Sequence, residues 1–185
     1  MRVFIALELV RGVQQKLEKT KNMLRDCSQR FSWVKPYNFH LTLKFLGEIE
    51  EEQVKEIEEN LIGIGGEFRE PFELVFDGLR AFPSLDLPKV IWVGVEEGRE
   101  QLIRLQKKVE DRLVKLGFEK EKREYTPHIT LGRVKQKGDL EGIKEQLDDF
   151  PFRINARQKV KQISIIKSEL TARGPIYTTL SEVKL

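Results

Sequence analysis

Apolar positions along this chain keep two rhythms that alternate from one end to the other. Val3 to Leu9 (Val-Phe-Ile-Ala-Leu-Glu-Leu) is a strongly apolar run of strand length. Residues 11–26 switch to helical spacing, with Val13, Leu17 and Leu24 on one side. His40 to Leu46 reads as a strand closed by Gly47. A second helix is predicted over 50–62, where Val54, Ile57 and Leu61 recur at i, i+3 and i+7. Gly63, Gly65 and Gly66 supply its stop signal. Phe72 to Phe76 is a further strand.

The same order then returns. Val90 to Val95 is a strand, and 99–116 a helix with Leu102, Leu105, Val109, Leu113 and Leu116 on one face. His128 to Val134 is the second motif strand, followed by a shorter helix near 139–147 and a strand from Phe152. The tail adds strands around 160–168 and 176–183, joined by a turn at Arg173-Gly174-Pro175. A shift of 88 residues lays Val3 on Ile91, Phe4 on Trp92, Leu17 on Leu105, Tyr37 on Tyr125 and His40 on His128. Identity between the halves is low, so the duplication rests on element order and these coincidences. The expected fold is α+β and bilobal, with two pseudo-twofold-related lobes around a central cleft. Each lobe carries a mainly antiparallel sheet flanked by helices. Residues 1–185 read as one domain with approximate halves 1–84 and 88–185, and Leu85-Asp86-Leu87-Pro88 marks the junction.

Composition narrows the class. With 185 residues, 39% of them hydrophobic, the chain can bury a substantial core. No stretch approaches the roughly 20 apolar residues of a membrane helix, so no membrane association is expected. The opening residues run straight into acidic and helical sequence, unlike a signal peptide. Cys27 stands alone, which excludes an intrachain disulfide. A cytoplasmic protein is the simplest expectation. Basic and acidic residues number 33 and 30, leaving +3, which is not the excess of a protein that coats duplex nucleic acid. A local basic patch is still permitted.

The candidate chemistry lies in the only two histidines. They stand in His40-Leu41-Thr42-Leu43 and His128-Ile129-Thr130-Leu131. On a strand, residues i and i+2 share a face about 6.6 to 6.8 Å apart, so each motif offers an imidazole beside a hydroxyl. Imidazole titrates near neutrality and can give or take a proton. For one motif the bland reading is an exposed strand with Thr present for β-propensity. The pair is different: with seven threonines in 185 residues, chance gives both matches with odds on the order of one in a thousand.

Other chemistries fare worse. Two histidines fall short of the three or four ligands of a usual zinc site, and neither Glu48 nor Glu124 shares the motif face cleanly. No Gly-x-Ser-x-Gly elbow and no phosphate loop ending in Lys-Ser/Thr is present. The residues point to acid–base chemistry with no metal and no cofactor. Arg133, five residues after His128, falls on the far face of an ideal strand unless a bulge or twist turns it inward. Tyr125 reads as a core aromatic more readily than as a base-stacking platform. Arg153, Asn155, Arg157 and Lys159 alternate with apolar residues and fit a protected strand edge somewhat better than an RNA track. The cluster Lys120, Lys122 and Arg123 stays open between the same two readings.

These residues carry a resemblance across essentially the whole chain. Arg2-Val3-Phe4-Ile5-Ala6-Leu7, Asn38-Phe39-His40-Leu41-Thr42-Leu43-Lys44-Phe45-Leu46-Gly47, Phe82-Pro83-Ser84, Pro127-His128-Ile129-Thr130-Leu131-Gly132-Arg133, Ser168-Glu169-Leu170 and Gly174-Pro175-Ile176-Tyr177 carry it. The chain resembles the archaeal and bacterial RNA 2′,3′-cyclic phosphodiesterases, historically called 2′-5′ RNA ligases, of the two-histidine (2H) phosphoesterase superfamily. That resemblance implies a bilobal duplicated α+β fold and a substrate RNA ending in a 2′,3′-cyclic phosphate, tRNA fragments among the candidates, opened to a 2′-phosphate. It implies His40 as proton donor, His128 as proton acceptor, and Thr42, Thr130 and Arg133 as phosphate-binding residues. It further implies ATP-independent 2′-5′ ligation as the reverse step, and the expected state is a monomer. A module that binds RNA ends without turnover is the competing expectation.

Overall fold

Strand β1 (Arg2–Glu8) presents its alternate side chains to two different surfaces. Val3, Ile5 and Leu7 enter the main core, whereas Phe4 and Ala6 join Ile166 in a separate small cluster. Both faces are therefore covered, which explains why the run lacks a polar alternation. The computed structural model describes residues 1–25, 31–67, 71–135, 147, 153–172 and 174–185. After β1 come α1 (Arg11–Arg25), β2 (Phe31–Trp33), β3 (His40–Glu48), α2 (Gln53–Leu61) and β4 (Glu73–Phe82). They are followed by β5 (Val90–Glu97), α3 (Arg99–Val114), β6 (His128–Val134), β7 (Ala156–Lys159), β8 (Gln162–Thr171) and β9 (Gly174–Lys184).

The strands form two antiparallel sheets, ordered β3-β1-β8-β9 and β2-β6-β5-β4-β7. The helices bury their apolar stripes against them. Leu17 of α1, Ile57 and Leu61 of α2, and Leu102, Leu105, Val109 and Leu113 of α3 are fully buried. Each such side chain stabilises the fold by about 1.5–3 kcal/mol through burial.

The lobes do not coincide with residues 1–84 and 88–185. The triplet β3-β1-β8 of one sheet has its counterpart in β6-β5-β4 of the other. β4, from the first half, thus completes the second sheet, and β8, from the tail, completes the first. The short connection from β4 to β5 favours this pairing, because strands close in sequence pair as neighbours. One strand from each half crosses the expected junction.

Several bounds also differ from the sequence reading. β4 continues to Phe82 because Gly78, at φ +73°, sits in a register shift that lets the ladder resume. α2 begins at Gln53 and α3 ends at Val114, each shorter than its apolar period. β2 was not anticipated, since three residues cannot display a rhythm. β7 begins at Ala156 instead of Phe152, after Asn155 at φ +39°. Cys27, Phe152, Arg173 and all of the 139–147 helix except Leu147 lie outside the described residues.

Candidate active site

β3 and β6 each send one face inward and the other to the cleft. Leu41, Leu43, Ile129 and Leu131 are buried, while His40, Thr42, His128 and Thr130 are half-buried on the opposite side. The two strands approach one another. His40 senses the charges of both His128 and Arg133. The two motifs therefore share one electrostatic field.

Each imidazole is held by the same device. Nδ1 of His40 lies 2.8 Å from the main-chain oxygen of Asn38, and Nδ1 of His128 lies 2.7 Å from that of Thr126. A carbonyl oxygen only accepts, so Nδ1 carries the hydrogen and donates it. In the neutral ring the Nε2 lone pair is left as the working atom of each histidine. Asn38 is fixed in turn, its Nδ2 donating to the Pro175 oxygen at 3.0 Å.

Aromatic rings wall each histidine. His40 meets Phe4 at 4.9 Å and the edge of Tyr177 at 5.1 Å between ring centroids. His128 meets Phe82 at 5.2 Å and Trp92 at 5.7 Å, both edge-on. This apolar packing has an electrostatic result. Burial pushes both imidazoles below their ordinary value of 6.5, against the opposing effect of the main-chain hydrogen bonds. Arg133 lowers both further, His128 also lowers His40, and the Glu8 carboxylate opposes them at His40. Glu8 pairs with His40 across β1 and β3, and its carboxylate accepts from Ser164 Oγ at 2.6 Å and Thr179 Oγ1 at 3.1 Å.

Arg133 reaches this field through a bulge. On β5, Ile91 pairs with Gly132 and the next residue, Trp92, pairs with Thr130, so Leu131 is skipped. Gly132 is consequently buried and Arg133 is exposed, which resets the ideal alternation that assigned Arg133 to the far face. Gly132 has no room for a side chain, since a Cβ there would lie 2.7 Å from the Trp33 ring. The same bulge occurs on β3, where Ile5 pairs with Lys44 and Ala6 with Thr42.

Tyr125 behaves as a core aromatic. Its hydroxyl donates to the Thr42 oxygen at 2.9 Å, and burial pushes the phenol far above its ordinary range. The basic strand β7 is an edge strand, and Arg157 pairs with Glu73 at 3.0 Å and Glu97 at 3.7 Å, which fits the edge reading. Among the described residues, no three His, Cys, Asp or Glu side chains gather in a metal-holding group. No helix among them is long and apolar enough to cross a membrane. Reading by motif missed Glu8, Phe82, Trp92 and Tyr177 as neighbours of the histidines. The coincidence of Phe4 with Trp92 at the 88-residue shift was a signal for Trp92, and the family-like segments Phe82-Pro83-Ser84 and Gly174-Pro175-Ile176-Tyr177 were signals for Phe82 and Tyr177, whereas Glu8 had none.

The two half-motifs thus share one field, and comparison with known proteins shows the family to which the chain belongs. A family model described as "LigT like Phosphoesterase" matches twice in tandem, at residues 7–92 and 93–177. The chain belongs to this LigT-like phosphoesterase family. It is 33% identical to the RNA 2′,3′-cyclic phosphodiesterase of Methanothermobacter thermautotrophicus over 100% of this chain and 99% of that protein. It is 37% identical to that of Archaeoglobus fulgidus, over 97% and 98% respectively. Among solved structures, a Thermus thermophilus protein superimposes with a TM-score of 0.79 at 26% identity, covering 100% and 98% of the two chains. Escherichia coli LigT complexed with 3′-AMP gives 0.73 at 25% identity, covering 100% and 97%.

Proposed function

We propose that this chain hydrolyses the 2′,3′-cyclic phosphate at an RNA 3′ end to a 2′-phosphate by two-histidine acid–base catalysis. The observation that carries this reading is the matched pair of imidazoles, each anchored at Nδ1 and therefore free at Nε2. Water must lose a proton as it attacks phosphorus, and the departing O3′ must gain one. In-line geometry separates the two events, so one proton carrier on each side meets the requirement. The relatives named RNA 2′,3′-cyclic phosphodiesterase support this substrate class.

His40 is the proton donor and His128 the acceptor in this scheme. The Glu8 carboxylate favours a charged imidazole at His40 and has no counterpart at His128 among the described residues. Both rings sit low in the free protein, and a bound phosphate anion opposes that by favouring imidazolium. Thr42 and Thr130 donate hydrogen bonds to the non-bridging oxygens, and the Arg133 guanidinium offsets the charge that develops there. No cofactor is required. With a 5′-hydroxyl in place of water as nucleophile, the same step forms a P–O5′ bond, releases O3′ as the 3′-hydroxyl, and so joins RNA ends through a 2′-5′ bond without ATP. RNA fragments left with cyclic ends by cleavage, those of tRNA included, are the substrates we assign to a monomer working in the cytoplasm.

Incubation with a nucleoside 2′,3′-cyclic phosphate tests the reading. A 2′-phosphate product is expected. A 3′-phosphate would reverse the leaving-group assignment, and tight binding with no product would select the non-catalytic module.

A further inference from the structure

The assignment of His40 to the leaving O3′ has a spatial consequence. The terminal ribose, which stays bonded to phosphorus through O2′, and the strand 5′ of it must lie on the β3 side of the phosphate. On that side a groove of about 520 Å³ opens between residues 44–47 and the loop 118–123. Phe45 lines it, 71% exposed, with its ring 5.9 Å from that of Phe4. Phe4 in turn touches His40. One aromatic step thus separates the groove from the imidazole. Among the described residues β3 is an edge strand, with no neighbouring strand of its sheet covering that side.

The opposite wall is held from beneath. Buried Lys44 donates through Nζ to Glu110 Oε1 and to the Glu119 oxygen, and the same Glu110 oxygen accepts from the Glu121 N–H at 2.9 Å. The Glu121 carboxylate turns back on its own loop and accepts from the N–H groups of Lys122 and Arg123 at 2.9 and 3.1 Å. Lys120, Lys122 and Arg123 remain exposed beside the groove. Glu119 and Glu121 line it as well, so its charge is modest. Such a surface suits a single phosphodiester and a stacked base better than a long polyanionic track.

We propose that this groove is the subsite for the nucleotide immediately 5′ of the reacting one. Phe45 faces its base, and Lys120, Lys122 and Arg123 face its phosphodiester. The inference rests on the cyclic phosphodiesterase reading and extends it from the phosphate to the strand.

The test compares kcat/KM for a nucleoside 2′,3′-cyclic phosphate with that for a short oligoribonucleotide carrying the same cyclic end. Wild type should prefer the oligonucleotide. A variant with Lys120→Ser, Lys122→Ser and Arg123→Ser should lose about tenfold of that preference, chiefly through KM. The dependence of log(kcat/KM) on log[salt] should flatten by about 0.7 for the one phosphate released. A control with Lys19→Ser, Lys107→Ser and Lys115→Ser removes equal charge elsewhere and should keep the preference. Equal turnover of both substrates by wild type, or equal loss in the two triple variants, overturns the subsite alone. Failure of wild type to hydrolyse either substrate defeats the underlying reading, and the subsite falls with it.

Discussion

Phe45 and Arg133 hold the same position on their two motif strands, five residues beyond the histidine and just past the bulge that turns each toward the cleft. The backbone device is shared and the chemistry is not. One side of the cleft gains a guanidinium, and the other gains an exposed phenyl ring. A symmetric pair of histidines thereby acquires two inequivalent sides, as in-line displacement of one leaving group requires.

Arg133 acts on protons as well as on phosphate, because its charge lowers both imidazoles. Arg133→Ala should therefore lower kcat by roughly 10²-fold through lost charge stabilisation. It should also move both limbs of the kcat/KM pH profile to higher pH, since a cation that opposed protonation has gone. Arg133→Lys should retain most of the profile position and only part of the rate. A slower variant whose profile stays in place would show that Arg133 does not share the histidines' field.

Elements with a local cause were legible in the sequence. His40 with Thr42 and His128 with Thr130 follow from the two-residue period of a strand, and α3 follows from its leucine stripe. Features with a non-local cause were not. The turn of Arg133 depends on how β5 pairs across Leu131, and the exchange of β4 and β8 depends on which strands meet. Tyr177 reaches His40 from β9, near the far end of the chain. Tyr37 and Tyr125 coincide at the 88-residue shift, yet Tyr37 is 66% exposed while Tyr125 bonds to Thr42. Correspondence of position did not carry correspondence of environment.

His40 and His128 should separate cleanly under leaving-group substitution. Each alanine variant should lose about 10²- to 10⁴-fold in kcat on an ordinary cyclic end. A substrate with sulfur in place of O3′ departs without a proton, so it should restore much of the rate to His40→Ala and little to His128→Ala. Rescue of the opposite variant would exchange the two roles.

Acid should weaken the fold through the same rings. Both histidines have folded values below 6.5, so as pH falls through 6.5 the unfolded chain binds protons that the folded one refuses. Their contribution is fully present above 6.5 and is lost as pH drops toward the folded values. Thermal melts from pH 7.5 to 5 should show Tm falling across this window, and His40→Gln with His128→Gln should flatten the slope. Inorganic phosphate that binds the cleft should raise Tm most at the acid end, where the anion stabilises imidazolium.

The Lys44–Glu110 pair offers the sharpest stability test, because both side chains are only 5% exposed. Glu110 also accepts from Gln106 Nε2 at 3.1 Å and from the Glu121 N–H, so it anchors the loop that precedes β6. Lys44→Met leaves that carboxylate buried without its cation and should cost about 3–5 kcal/mol in denaturant unfolding. Lys44→Met with Glu110→Leu removes both charges and should recover most of that loss, since a buried pair is often no better than an apolar replacement. The double variant still releases the loop at Glu119 and Glu121. Its stability should therefore return while its preference for an oligonucleotide over a nucleoside cyclic phosphate does not. If both return together, the ion pair supports the fold and plays no part in shaping the groove.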